Sequence, residues 1–195
     1  RYVYFREYDG ASWQPEQEWD FTGLGAWVPA VAVDTTGLAH IVWYCNYGDS
    51  TQIRYMTTDG VSHSGTEVLA GGSYAHDPTI AIDSMNRVHV AWHNLGYGDY
   101  DIYYRRFDGL AWGAVQTVTS ADGRRNHASI AADDSGHVEL IWEDKRDGNY
   151  EIYHARNEED AWSTPTRLTK CHDESSYPSL ALAPDGSLHM VWRDL

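Results

Sequence analysis

Histidines, tyrosines and acids recur at matching places along this 195-residue chain, and their grouping decides what chemistry it can do. Trp27, Tyr74, His76, Asp77, Asn126, His127 and Tyr177 fall at the starts of short apolar segments. Tyr44, Asn46, Tyr47, Asp49, His93, Asn94, Tyr97, Asp99, Glu143, Asp144, Arg146 and Asp147 follow the ends of others. Aromatic faces stack on sugar C–H bonds while amides, carboxylates and guanidinium groups satisfy hydroxyls, so the mixture suits a neutral glycan. From these we take Trp27, Tyr47, His76, His93, Tyr97, His127, Arg146 and Tyr177 as the expected ligand-binding residues. No catalytic set stands out. A surface for another protein is the alternative use of the same rim.

Other groups read as structural. His40, His89 and His189 share one strand position, which Glu139 takes in the third copy; they read as packed strand residues, not a metal triad. No cofactor is implied, although Asp144, Asp147 and the carbonyls near Gly148 offer hard oxygens of the kind Ca²⁺ takes. The same residues equally make an ordinary Asp/Asn/Gly turn. Cys45 and Cys171 lack the spacing of a zinc site or a disulfide framework.

The elements that position these residues repeat. Trp43, Trp92, Trp142 and Trp192 fall 49, 50 and 50 residues apart, each closing a strand such as Ala39-His40-Ile41-Val42-Trp43. A preceding strand ends at Asp34, Asp83, Asp133 or Ala183, followed in most copies by a turn that closes on Gly, a residue that takes positive φ freely. A third strand follows (Ile53, Ile102, Ile152), then an Asp-Gly type turn and a fourth strand. Four short strands per period of about 50 residues predict a β-propeller, and nothing sustains a helical period.

Residues 27–75, 76–125 and 126–176 read as three full blades, and 177–195 with 1–26 as a composite fourth. The N- and C-terminal strands would then close a four-bladed ring, with Tyr4 beside the strand ending at Trp192. Two chains exchanging half-blades, or a piece of a longer array, fit the same repeats. The start at Arg1 fits a processed protein or a piece of a longer one. Twenty-nine Asp+Glu against fourteen Lys+Arg give a net charge of −15, which disfavours nucleic-acid and membrane-surface partners. The aromatic-rich, acidic composition points to an extracellular or cell-surface setting.

The repeat Pro-x-φ-Ala-φ-Asp…Gly-x-φ-His-φ-φ-Trp, with Asp147-Gly-Asn-Tyr-Glu-Ile-Tyr153 and Asp108-Gly-x-x-Trp112, resembles the sialidase-like (BNR or Asp-box-type) propeller repeats. The resemblance implies the fold across the whole chain. The sialidase arginine set does not transfer to Arg54, Arg105, Arg106, Arg146, Arg156 or Arg193, since no sialidase motif surrounds them. His76-Asp77-Pro78 and Trp92-His93-Asn94 are also similar to the paired histidines of propeller polysaccharide lyases, which implies proton abstraction beside a uronate carboxyl. The expectation is therefore a carbohydrate-binding or scaffold propeller. The competing expectation is a carbohydrate-active enzyme, hydrolase or lyase.

Overall fold

The computed structural model describes residues 2–19, 24–95, 100–119, 122–158 and 160–195. They form sixteen strands, with no helix among them: β1 (Val3–Phe5), β2 (Gln17–Trp19), β3 (Trp27–Val33), β4 (Ala39–Tyr47), β5 (Ser50–Thr58), β6 (Glu67–Ile82), β7 (Val88–Leu95), β8 (Tyr100–Phe107), β9 (Gln116–Thr117), β10 (Arg125–Ala132), β11 (Val138–Asp144), β12 (Glu151–Glu158), β13 (Ala161–Trp162), β14 (Thr166–Arg167), β15 (Ser175–Leu182) and β16 (Leu188–Asp194). All ladders are antiparallel. The order β3-β4-β5-β6 makes one four-stranded sheet. β6 then runs on as the innermost strand of a second, β6-β7-β8-β9. A third comprises β10, β11, β12 and the short β13 and β14.

The first three inner hairpins are each shaped by an acid. Asp34 Oδ1 accepts from the N–H groups of Thr36 and Leu38 at 2.8 and 3.0 Å, and Asp133 Oδ1 does the same for Ser135 and His137 at 2.8 Å each. Gly37 and Gly136 close these turns at φ +90° and +82°, and Asn86 replaces Gly in the second at +59°. The other carboxylate oxygen reaches the strand. Asp83 Oδ2 lies 3.1 Å from His89 Nε2, whose Nδ1 lies 2.7 Å from Tyr104 OH; Asp34, His40 and Tyr55 repeat the chain at 3.3 and 2.6 Å. These histidines are therefore hydrogen-bonded strand residues.

The core lies between sheets. Ile53 and Leu69 of the first sheet pack with Val88, Val90 and Trp92 of the second; Ile102 and Val118 of the second pack with Leu140 and Trp142 of the third. Apolar residues alternating along strands bury one face against the next sheet.

The expected ring closure is not formed among the described residues. β1 pairs with β2 and β16 with β15, as two separate two-stranded sheets. Each pair packs on the sheet next to it in the chain. β1–β2 sits against the first sheet, Val3 and Trp19 beside Ile41, Trp43 and Met56, while β15 rests on β10 and β11 of the third. No ladder joins β1 to β16 among the described residues.

Candidate functional site on the inner strands

Every inner strand carries the same irregularity near its start. The register with the second strand slips between Trp27 and Ala30, His76 and Thr79, Asn126 and Ser129, and Ser176 and Ser179. At each slip a non-glycine residue takes positive φ: Val28 (+46°), Asp77 (+48°), His127 (+46°) and Tyr177 (+53°). Bulges re-aim side chains, and an L residue held there costs on the order of 1–3 kcal/mol. Four strained residues at one level of the repeat make this rim the candidate site. The rows they complete are the cross-strand pairs Trp27–Tyr44, His76–His93, Asn126–Glu143 and Ser176–Arg193.

The side chains of successive sheets meet along this rim. Trp27 stacks on Tyr44 at 6.2 Å between centroids, Tyr44 meets His76 edge-on at 4.6 Å, and His76 stacks on His93 at 5.8 Å. Asp77 Oδ2 then stands 3.9 Å from both His93 Nδ1 and His127 Nε2. His127 Nδ1 lies 2.9 Å from Glu143 Oε1, which also accepts the backbone N–H of Tyr177. The His127 and Tyr177 rings are 4.3 Å apart, and the Arg193 guanidinium lies over Tyr177 at 4.8 Å. Tyr100 adds a ring beside His93 at 5.6 Å, with Arg124 over it at 5.8 Å.

The histidines are differentiated by environment. His93 is buried and its Nδ1 has no hydrogen-bond partner. Burial first, and the neighbouring His76 and His127 second, push its pKa down to about 3. Burial also lowers His76, against the opposing pull of Asp77. His127 moves the other way because its hydrogen bond to Glu143 outweighs burial, with the charges of Glu143 and Asp77 adding to it. One rim thus holds neutral imidazoles, an imidazole biased toward its cation, and a carboxylate between them that is about a quarter exposed.

Of the expected ligand residues, Trp27, His76, His93, His127 and Tyr177 come together here. Tyr47 is exposed at the β4–β5 hairpin, where its carbonyl accepts from Ser50, and makes none of these ring contacts among the described residues. Arg146 is engaged elsewhere: it donates to Asp144 and lies over Tyr153 at 4.4 Å. Tyr97 lies outside the described residues. Arg193, Arg124 and Tyr100 were not singled out as site residues. Arg193 follows Trp192 as Tyr44, His93 and Glu143 follow their tryptophans, and that position was the available signal.

The carboxylates named for Ca²⁺ are hydrogen-bonded within the chain. Asp144 accepts from Arg125 at 3.1 Å, Trp142 at 3.0 Å and Arg146, and Asp147 from Tyr153 OH at 2.5 Å and Arg167 at 2.8 Å. Among the described residues no group of three His, Cys, Asp or Glu is placed to hold a metal.

No family model matches the chain, and no curated protein matches it. Solved structures do. An α-L-arabinanase of Penicillium chrysogenum complexed with arabinobiose is 15% identical over 97% of this chain and 67% of its own, with a TM-score of 0.72. An endo-arabinase from Bacteroides thetaiotaomicron is 16% identical over 92% of this chain and 76% of its own, with a TM-score of 0.58. TolB from Acinetobacter baumannii is 14% identical over 92% of this chain and 41% of its own, with a TM-score of 0.61. Likeness at such identities is likeness of fold, and the fold is that of the β-propellers.

Proposed function

We propose that the chain is carbohydrate-active and cleaves glycosidic bonds at the rim of its inner strands. One observation carries the reading: Asp77, partly open to solvent, stands 3.9 Å from His127 Nε2, the ring edge that Glu143 leaves free. Bond cleavage between sugars needs a group that gives a proton to the leaving oxygen and one that removes a proton from the attacking or reacting partner. His127, biased toward its cation by Glu143, is the donor and Asp77 the acceptor. Glu143 acts through His127 as a positioning residue. Trp27, Tyr44 and Tyr177 supply ring faces for the sugar. The likeness to two arabinanases, one holding arabinobiose, supports carbohydrate as the substrate class and makes arabinan the first glycan to try.

Hydrolysis is the first chemistry to test, because the similar solved structures include two arabinanases. Elimination on a uronic-acid polymer is favoured by one feature, the 3.9 Å gap, which is shorter than the roughly 5 Å or more between the carboxyl groups of hydrolytic pairs and sets donor and acceptor on one side. The test incubates the protein with arabinan, neutral galactans and uronic-acid polymers, following reducing ends and the ultraviolet absorbance of unsaturated products together. Reducing ends without absorbance mark hydrolysis, and both together mark elimination. Asp77→Asn is expected to lower either rate about 10²- to 10⁴-fold. Reducing-end release unchanged in Asp77→Asn would remove the assignment. Binding without turnover in the unaltered protein would return it to a glycan-binding role.

A further inference from the structure

The pairs β1–β2 and β15–β16 carry matching halves of one sheet. In the second and third sheets the tryptophan of the second strand lies opposite a tyrosine of the third, Trp92 opposite Tyr103 and Trp142 opposite Tyr153. The rings stack at 6.2 and 6.4 Å between centroids. Trp192 of β16 has no third strand beside it among the described residues and is exposed. Tyr4 of β1 stands as far before Asp9 as Tyr103 stands before Asp108, and it is exposed as well.

The faces toward neighbouring sheets match in the same way. Trp112 and Trp162 meet Tyr55 and Tyr104 of the preceding sheet edge-on at 5.0 and 5.1 Å, whereas Trp13, at the same place after β1, is exposed beside Tyr8. Val42 of the first sheet shares a buried cluster with Ile80 of the second, and Ala91 of the second shares one with Ile130 of the third. The same two positions of the repeat are held by Val191 on β16 and Val31 on β3, and both are exposed. At β16 the chain therefore has an open strand edge backed by an apolar face. At β1 and β3 it has the strand and the face that the repeat places against such an edge. An open edge of this kind takes a further strand by backbone pairing, and the side chains select which one.

We propose that the β16 edge is covered by a second copy of this chain, whose β1–β2 pair adds to β15–β16 and whose β3 covers Val191. Exchanged reciprocally, the two joints close a ring of two copies. The dilute chain keeps β16 open, so the dimer forms by mass action. The inference does not rest on the activity proposed at the rim. The experiment measures mass by light scattering and sedimentation over a concentration series, for the unaltered chain, Val31→Asp, Val191→Asp and, as a control at an exposed apolar residue in the turn after β8, Leu110→Asp. A double variant, Tyr4→Cys with Trp192→Cys in a Cys171→Ser background, is oxidised and run without reductant. All the substituted apolar residues are exposed, and thermal melts confirm that each variant folds. The expected result is a dimer that grows with concentration, weakened at least about tenfold by either aspartate because each buries an unpaired charge, and unchanged in Leu110→Asp. The disulfide is expected to link two copies, and amide protection of Leu188–Asp194 to rise with concentration. A chain that stays monomeric up to millimolar concentration, a dimer indifferent to Val31→Asp and Val191→Asp or equally weakened by Leu110→Asp, or a disulfide formed inside one chain would each overturn the proposal.

Discussion

His93 and His127 flank one carboxylate, yet burial and a neighbouring acid drive their proton affinities apart, and the two consequences for stability have opposite sign. His93 is held down to about 3 in the folded state, while an unfolded histidine titrates near pH 6.5. Between those values the unfolded chain binds the extra proton, so stability falls as the pH drops from about 6.5 toward 3, by up to about 1.4 kcal/mol per unit. His127 is raised, so its contribution is complete below about 6.5 and fades as the pH climbs through its folded value. Urea midpoints measured across pH 4 to 8 are expected to show a flatter acid limb in His93→Gln. In Glu143→Gln the His127 imidazole, followed by NMR, is expected to titrate lower than in the unaltered protein. An unchanged His127 titration would mean that Glu143 does not set its charge.

At the level of the strand and its turn, Asp83 is the most buried of the three inner-hairpin acids Asp34, Asp83 and Asp133. It accepts from Met85 N, Arg87 N, Arg87 Nε and His89 Nε2, and it is buried. Those bonds hold its pKa down to about 2 against the opposing effect of burial, so its stabilisation is present above about pH 3.9 and lost toward 2. Asp83→Ala strands the fully buried His89 Nε2 and is expected to cost about 2–4 kcal/mol by urea denaturation. A cost below about 1 kcal/mol would show that the turn holds without it. Nature supplies the control in the fourth repeat, where Ala183 stands in place of the acid and the exposed His189 turns to Ser187 Oγ at 3.1 Å.

Such turns were legible in the sequence because Asp, Gly and a Trp every 50 residues act locally. Equally legible was the convergence of Trp27, His76, His93, His127 and Tyr177, since strand starts and strand ends share a rim whenever the strands are antiparallel. The bulge was not legible, because nothing in Val28, Asp77, His127 or Tyr177 individually demands positive φ. Nor was the diversion of Arg146 to Asp144, a carboxylate that also accepts from Arg125 of another strand. Val28, β-branched and at φ +46°, carries the largest local strain of the four. Val28→Gly is expected to be neutral to stabilising by up to about 1 kcal/mol, where the same change at an ordinary strand position destabilises.

Across the molecule, the repeats are alike in sequence and unlike in how firmly they are held. Trp43, Trp92 and Trp142 are 2%, 1% and 0% exposed, each packed against the outer strands before it, whereas Trp192 at the same position is 43% exposed. The difference follows from which strand makes the contacts. β15 lies against β10, β11 and β12, while β16 is anchored chiefly through β15, leaving Val191 67% exposed and Leu188 at 40%. Apolar burial scales with area removed from water, so the tryptophans should differ in energy as they differ in exposure. Trp142→Ala is expected to cost about 3–5 kcal/mol, the range for deleting a large buried aromatic, and Trp192→Ala about 1 kcal/mol. Amide exchange should order the strands the same way, with Val138–Asp144 protected to the level of global unfolding and Leu188–Asp194 exchanging through local opening of the β15–β16 pair. Equal protection of the two strands, or equal costs for the two tryptophans, would mean that β16 is held by contacts beyond its pairing with β15.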